Sequence, residues 1–227
     1  MKKENIIKLI KLLFAFEFKE IIRLCRIKWF LLTQQGITFI YNDSFFKQRR
    51  RDKKWTKDFC ELIMRIFNPK SVVDFGCGNG DILAPFESLR VRVLGIDGSR
   101  SALKYLKISK SNFKLFNLKK QLRLEEKFDL CFSFEVAEHL LEAFSDIFIE
   151  NVVSSQAEHI LFTAAKPGQR GTWHVNLKPQ EWWIEKFRKK GYVFAEDLTQ
   201  SLKREMPSIQ GIEGQFIKNL LIFKRSQ

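Results

Sequence analysis

The chain has 227 residues, 45% of them hydrophobic and 23 of them Phe, enough for one domain with a sizeable core and an appendage. Its net charge of +14 is uneven: residues 1–57 hold 15 Lys/Arg against 5 Asp/Glu, a net +10, which leaves +4 for the rest. The four cysteines are unevenly spaced with no C-x-x-C pair, so a reducing, cytoplasmic compartment fits better than a disulfide framework.

In chain order, residues 5–32 alternate Ile, Leu and Phe with Lys and Arg at helical spacing. Charges interrupt this segment, so it is not read as a signal peptide. The longest uncharged run, Trp29 to Asn42, is too short to span a bilayer. The segment either packs its apolar side on the domain or lies on a membrane surface as a peripheral contact. A basic cluster follows at Lys47, Arg49, Arg50, Arg51, Lys53 and Lys54, suited either to phosphate contacts or to a solvated face. Residues 1–57 are thus read as a basic amphipathic helical extension, and 58–227 as the main domain.

Beyond it, Trp55, Phe59, Leu62, Ile63, Ile66 and Phe67 predict a helix over 55–68, stopped by Asn68-Pro69. Strands are expected near 71–75, 92–96, 112–116, 128–133, 159–163, 192–195 and 217–224. Helices fit near 79–88, 99–108, 141–153 and 179–190, and 196–216 reads as an irregular flap. Alternation of this kind predicts an α/β domain with a mostly parallel sheet and helices on both faces.

The first strand ends in Val72-Val73-Asp74-Phe75-Gly76-Cys77-Gly78-Asn79-Gly80. Glycines at alternate positions permit a tight turn and a close approach of backbone N–H groups to a ligand. In a dinucleotide-binding loop the third glycine follows the second by three residues, whereas here it follows by two. The leading Asp74 suits a ligand with an ammonium group better than a pyrophosphate. Asp97 closes the second strand, where a carboxylate can accept bonds from two ribose hydroxyls.

Asp74-x-Gly76-x-Gly78-x-Gly80 together with Asp97 resembles the first two motifs of class I methyltransferases, which use S-adenosylmethionine. The resemblance covers residues 70–224. It implies a Rossmann-like seven-stranded, mostly parallel sheet with an antiparallel last strand, here with an N-terminal helical extension. It further implies that Asp74, Gly76, Gly78 and Gly80 hold the methionine part, that Asp97 holds the ribose, and that Gly98 and Ser99 edge the adenine. Asn117 stands where the family often has an Asp that contacts the adenine amino group.

After the fourth strand comes Glu135-Val136-Ala137-Glu138-His139. On a helical turn Glu135, Glu138 and His139 share one face. His139 can serve as a general base, or the trio can bind a divalent metal. Without a metal, Glu135 would only contact the cofactor and His139 would be a base or a polar wall; a merely structural histidine is the third possibility. Gly171-Thr172-Trp173-His174-Val175-Asn176 should open on the same edge. This pairing looks like that of the ubiquinone-pathway O-methyltransferases and of the enzymes that methylate the terminal 2′-hydroxyl of small RNAs. By that resemblance Glu135, Glu138, His139 and His174 would hold Mg²⁺, Mn²⁺ or Fe²⁺. The catalytic candidates are therefore His139, Glu138 and His174. His159 is read as a core or edge residue, and Trp182 and Trp183 as packing residues or a stacking platform.

His174-Val175-Asn176 followed by Trp182-Trp183, with the lead-in from Phe45 to Asp52, resembles bacterial methyltransferases of glycan and natural-product pathways. The expected reaction is O-methylation of a small-molecule or glycan hydroxyl. RNA 2′-O-methylation and non-catalytic binding of S-adenosylmethionine are the alternatives.

Overall fold

The structure is a computed structural model that describes residues 41–48 and 54–226. The amphipathic segment 5–32 and basic residues 49–53 lie outside the described residues. Helix α1 (Asp43–Gln48) and helix α2 (Lys54–Phe67) precede the first strand. α2 buries Thr56, Phe59, Cys60, Leu62 and Ile63, the i, i+3, i+4, i+7 stripe that its sequence encodes. It ends at Asn68, whose φ of 43° is a left-handed cap ahead of Pro69. Residue 57, the expected domain boundary, falls inside this helix.

Seven strands follow: β1 (Ser71–Phe75), β2 (Arg92–Asp97), β3 (Phe113–Leu115), β4 (Leu130–Phe134), β5 (His159–Thr163), β6 (Tyr192–Phe194) and β7 (Leu221–Arg225). They form one sheet in the order β3-β2-β1-β4-β5-β7-β6. β1 to β5 are parallel, and β7 runs antiparallel to both β5 and β6. The expected mostly parallel seven-stranded sheet with an antiparallel last strand is therefore present.

β1 and β4 are buried at every position, which explains their unbroken apolar sequences. One core layer packs Phe148, Ile149, Phe162, Trp183 and Phe187 on one face of the sheet. The other packs Phe59, Ile63, Leu83, Phe86 and Phe132 on the opposite face. Burying each such side chain contributes about 1.5–3 kcal/mol. Trp183 is in this core, which makes it a packing residue. Trp182 is only partly buried, with the Lys178 and Lys186 ammonium groups over its ring.

Several expected boundaries move. The helix expected over 79–88 is confined to α3 (Leu83–Ser88), because Gly78 and Gly80 hold left-handed backbone. The helix expected over 99–108 is only a 3-10 turn, Arg100–Lys104. The chain there is drawn back onto the glycine loop: the Lys107 N–H donates to the Asn79 carbonyl, and Ile108 packs over Gly80. The helix expected over 141–153 divides into a 3-10 turn at Glu142–Phe144 and α4 (Ser145–Val153). α5 (Gln180–Arg188) covers the last expected helix.

The stretch expected to be an irregular flap, 196–216, is largely helical. α6 (Glu196–Glu205) has acids in its first turn and Lys203 and Arg204 in its last, which suits the helix dipole. Thr199, Leu202 and Met206 form its buried side. α7 (Gly214–Asn219) occupies residues expected to begin the final strand.

Sheet order reverses between β1 and β4, and open α/β folds place ligands outside the carboxyl ends of their strands at such a point. The glycine loop after β1 and the Glu-His turn after β4 both open there.

Candidate active site

A cavity of about 1210 Å³ lies at this reversal, roomy enough for a nucleoside cofactor and an acceptor together. Gly76, Gly78, Asp97 and Gly98 line one part of it, with Leu118 and Lys119. Gly76 and Gly78 have φ of 90° and 58°, backbone that favours glycine. A Cβ on Gly76 would sit 2.3 Å from the Val136 Cγ2, so the first glycine also lets the two loops pack.

Asp74 lies beneath this loop, 2% exposed, with Oδ1 unpartnered. Burial, and then the neighbouring Asp97 charge, push its pKa up to about 7. A buried carboxylate oxygen without a partner costs free energy that a cationic ligand group would offset. Asp97 accepts from the Gly78 N–H at 2.9 Å and the Ser99 N–H at 2.7 Å. Burial raises its pKa to about 6 against the opposing effect of those bonds.

Two expected adenine contacts have other duties. The Ser99 hydroxyl is buried and donates to the Tyr41 carbonyl at 2.6 Å. Asn117 Oδ1 accepts from the Lys119 N–H within its own turn, and it is Leu118 and Lys119 that line the cavity.

The Glu-x-x-Glu-His segment is a 3-10 turn, Ala137–His139, rather than an α-helical one. Glu135 precedes it with φ 54°, its N–H donating to the Thr163 hydroxyl at 2.9 Å. The backbone therefore breaks between Glu135 and Glu138, and the two do not share a helical face. The Glu135 carboxylate instead accepts from Asn219 Nδ2 at 3.3 Å. Ligand atoms of Glu138, His139 and His174 converge within 4.8 Å of one another, and Glu135 is not one of the converging three. Its carboxyl still neighbours Glu138.

Glu138 is fully buried, and neither carboxylate oxygen has a hydrogen-bond partner of normal geometry. Burial first, then the Glu135 charge, raise its pKa well above the ordinary value, although its own N–H and that of Ala165 oppose the shift. The His139 and His174 rings stand 5.1 Å apart, edge to face. A Cβ on Gly171 would strike the His174 ring at 2.1 Å, so this glycine makes room for it. His159 lies at the start of β5, half-buried against Phe67, away from this group.

Sequence reasoning did not single out the aromatic wall. Tyr41, Phe45, Phe46 and Trp55 line the cavity from the N-terminal side, and Phe134 and Phe216 from the sheet side. Tyr41 meets the His139 ring edge-on at 5.9 Å, and Phe46 stacks on Tyr105. The sole local signal was the density of aromatics over residues 41–46, which does not say what they face.

The sheet order, the antiparallel β7 and the acid–glycine–acid cavity define a class I, Rossmann-like methyltransferase fold. Residues 47–220 match the family model of a methyltransferase domain. The chain belongs to that methyltransferase-domain family. A curated protein of Invertebrate iridescent virus 6, 235L, whose name classes it with methyltransferases, is 28% identical over 133 residues, 56% of this chain and 49% of that protein. The chain thus spans about half the length of that relative.

Solved structures are similar in fold. S-adenosylmethionine-bound CalS10 is an amino pentose methyltransferase from Micromonospora echinaspora. It has TM-score 0.59 and 13% identity, with 82% of this chain and 97% of that one covered. The magnesium protoporphyrin IX methyltransferase of Synechocystis PCC 6803 has TM-score 0.59 and 16% identity over 85% and 97%. The methyltransferase domain of bacterial CtHen1 has TM-score 0.54 and 17% identity over 78% and 100%. Among the described residues no helix is long and apolar enough to cross a membrane.

Proposed function

We propose that this methyltransferase transfers the methyl group to a hydroxyl of a small-molecule or glycan acceptor, with His139 as the base. The observation that carries this reading is the convergence of buried Glu138 with His139 and His174, the two histidines lining the cavity that the glycine loop also lines.

Bound S-adenosylmethionine supplies a methyl group on a sulfonium, whose sulfur keeps the bonding pair as the methyl leaves. Gly76 and Gly78 would hold its methionine part, with Asp74 beneath them, whose unpartnered Oδ1 fits the ammonium group; Gly80, covered by Ile108, shapes the turn from outside the cavity lining. Asp97 takes the ribose hydroxyls, while Gly98 and the Leu118–Lys119 segment border the base. Glu135 stands at the end of β4, between the cofactor and the Glu-His turn. His139 accepts the acceptor's hydroxyl proton as the oxygen–carbon bond forms. A positioned base contributes about 10²–10⁴-fold. The aromatic wall excludes water and aligns the acceptor; alignment is a large part of what such a transfer needs.

A second reading is that Glu138, His139 and His174 hold a divalent cation such as Mg²⁺. Neither Glu138 oxygen nor His174 Nδ1 has a protein hydrogen-bond partner of normal geometry, which suits a mixed carboxylate–imidazole donor set. In that case the metal would lower the acceptor's pKa and His139 would be a ligand.

The test is a transfer assay with isotopically labelled methyl donor against separate panels of phenols, glycans and RNA. The reading expects label in a hydroxyl-bearing small molecule or glycan, with His139→Ala at least about 100-fold slower. Label appearing only in RNA would overturn it.

A further inference from the structure

The loop that carries His174 is fastened to the turn that carries His139. The Val175 and Asn176 N–H groups both donate to the Glu138 carbonyl, at 2.9 and 3.1 Å. Asn176 is 3% exposed, and its Nδ2 donates to the Ser145 hydroxyl at 3.0 Å and approaches the Ala137 carbonyl at 3.5 Å. The loop thereby caps the Glu138 carbonyl of the 3-10 turn and reaches toward that of Ala137. Fastened in this way, the chain holds Trp173 at φ 61°, a conformation that a bulky L-residue adopts only under constraint. That conformation brings the Trp173 carbonyl 3.2 Å from His139 Nδ1.

A carbonyl oxygen can only accept, so Nδ1 must carry the proton. We infer that the 171–176 loop locks neutral His139 in its Nδ1–H tautomer, with Asn176 as the positioning residue that maintains the lock. Nε2 is then the nitrogen with the lone pair, which either a base or a metal ligand requires. In water imidazole prefers the opposite tautomer, so the lock reverses an intrinsic preference. The inference rests on the reading that His139 Nε2 acts in the cavity, and it goes beyond that reading by naming what sets its state.

The chain has only three histidines, His139, His159 and His174, so the ¹⁵N spectrum of the imidazole side chains can be assigned by single substitution. The experiment uses the full chain above pH 8, with S-adenosylhomocysteine titrated calorimetrically in parallel. The wild type is expected to show His139 Nδ1 as the protonated nitrogen. Asn176→Ala should shift that signal toward the Nε2–H state while leaving affinity for S-adenosylhomocysteine unchanged. Ser145→Ala removes the hydroxyl that the Asn176 amide reaches and should shift it less. It carries the test should Asn176→Ala fail to fold. An Nε2–H signal in the wild type overturns the lock. An Nδ1–H signal unmoved in both variants overturns the role of Asn176. Failure of the wild type to bind S-adenosylhomocysteine would instead count against the cofactor reading, so the two failures are distinct.

Discussion

Replacing Asp74 with Asn should have opposite effects on the free protein and on cofactor binding. In the free protein Asp74 is buried, Oδ1 has no partner, and its pKa is pushed from 3.8 up to about 7 by burial and then by Asp97. That difference is about three powers of ten in proton affinity, at about 1.4 kcal/mol each, so ionising Asp74 costs the fold on the order of 4 kcal/mol. The group's folded pKa lies above its unfolded value. The fold therefore carries no cost from it below about pH 4 and the full cost above about pH 7. An amide also needs partners in that site, which offsets part of the gain. The expected net stabilisation of Asp74→Asn at pH 8 is about 1–2 kcal/mol, a rise in Tm of about 2–8 °C for a domain of this size. It should fade as the pH falls toward 4. Affinity for S-adenosylhomocysteine should drop by about 10–100-fold, the worth of one hydrogen bond to a charged group. Scanning calorimetry from pH 4 to 8 and titration calorimetry measure the two effects. A variant less stable than wild type at pH 8, or one that binds the cofactor product equally well, would refute the assignment of Asp74 to the ammonium group.

Wild-type binding of S-adenosylhomocysteine should tighten as pH rises from 6 to 8 and release protons, because the ligand selects ionised Asp74; titrations in buffers of different ionisation enthalpy count those protons. Gly76→Ala combines positive φ with a 2.3 Å approach to Val136, and should cost about 2–5 kcal/mol in urea unfolding. Adding Val136→Ala should recover the steric part but not the backbone part, so strict additivity in that cycle would argue against the clash. Exhaustive chelation separates the two readings of the Glu138–His139–His174 group: activity persists if His139 is a metal-free base and is lost, then restored by Mg²⁺ or Mn²⁺, if the three are ligands.

The parts of this protein that were legible in the sequence are those whose signals are local. The Val72–Gly80 run, the second acid at Asp97 and the alternation of apolar runs with helical patterns are each read from a few neighbouring residues. Local backbone sterics and side-chain periodicity therefore suffice to read them, and they gave the fold class and the cofactor loop. Element ends depended on distant partners. The stretch after Ser99 is a 3-10 turn where Ile108 returns to cover Gly80, and α6 buries only Thr199 and Leu202 in an otherwise charged sequence.

The site was legible in composition but not in arrangement. Helical spacing placed Glu135 with Glu138 and His139 on one face, yet the backbone turns left-handed at Glu135, whose carboxyl neighbours Glu138 without joining the three converging ligand atoms. Only the folded chain brings the Trp173 carbonyl to His139 across 34 positions, or the Tyr41 carbonyl to Ser99 across 58. Such contacts depend on how β4 and β5 pair and on which loops then meet at their ends. The glycine loop and its two acids follow from local chemistry. The setting of His139, the base in the proposed reaction, depends on contacts that only the tertiary structure makes.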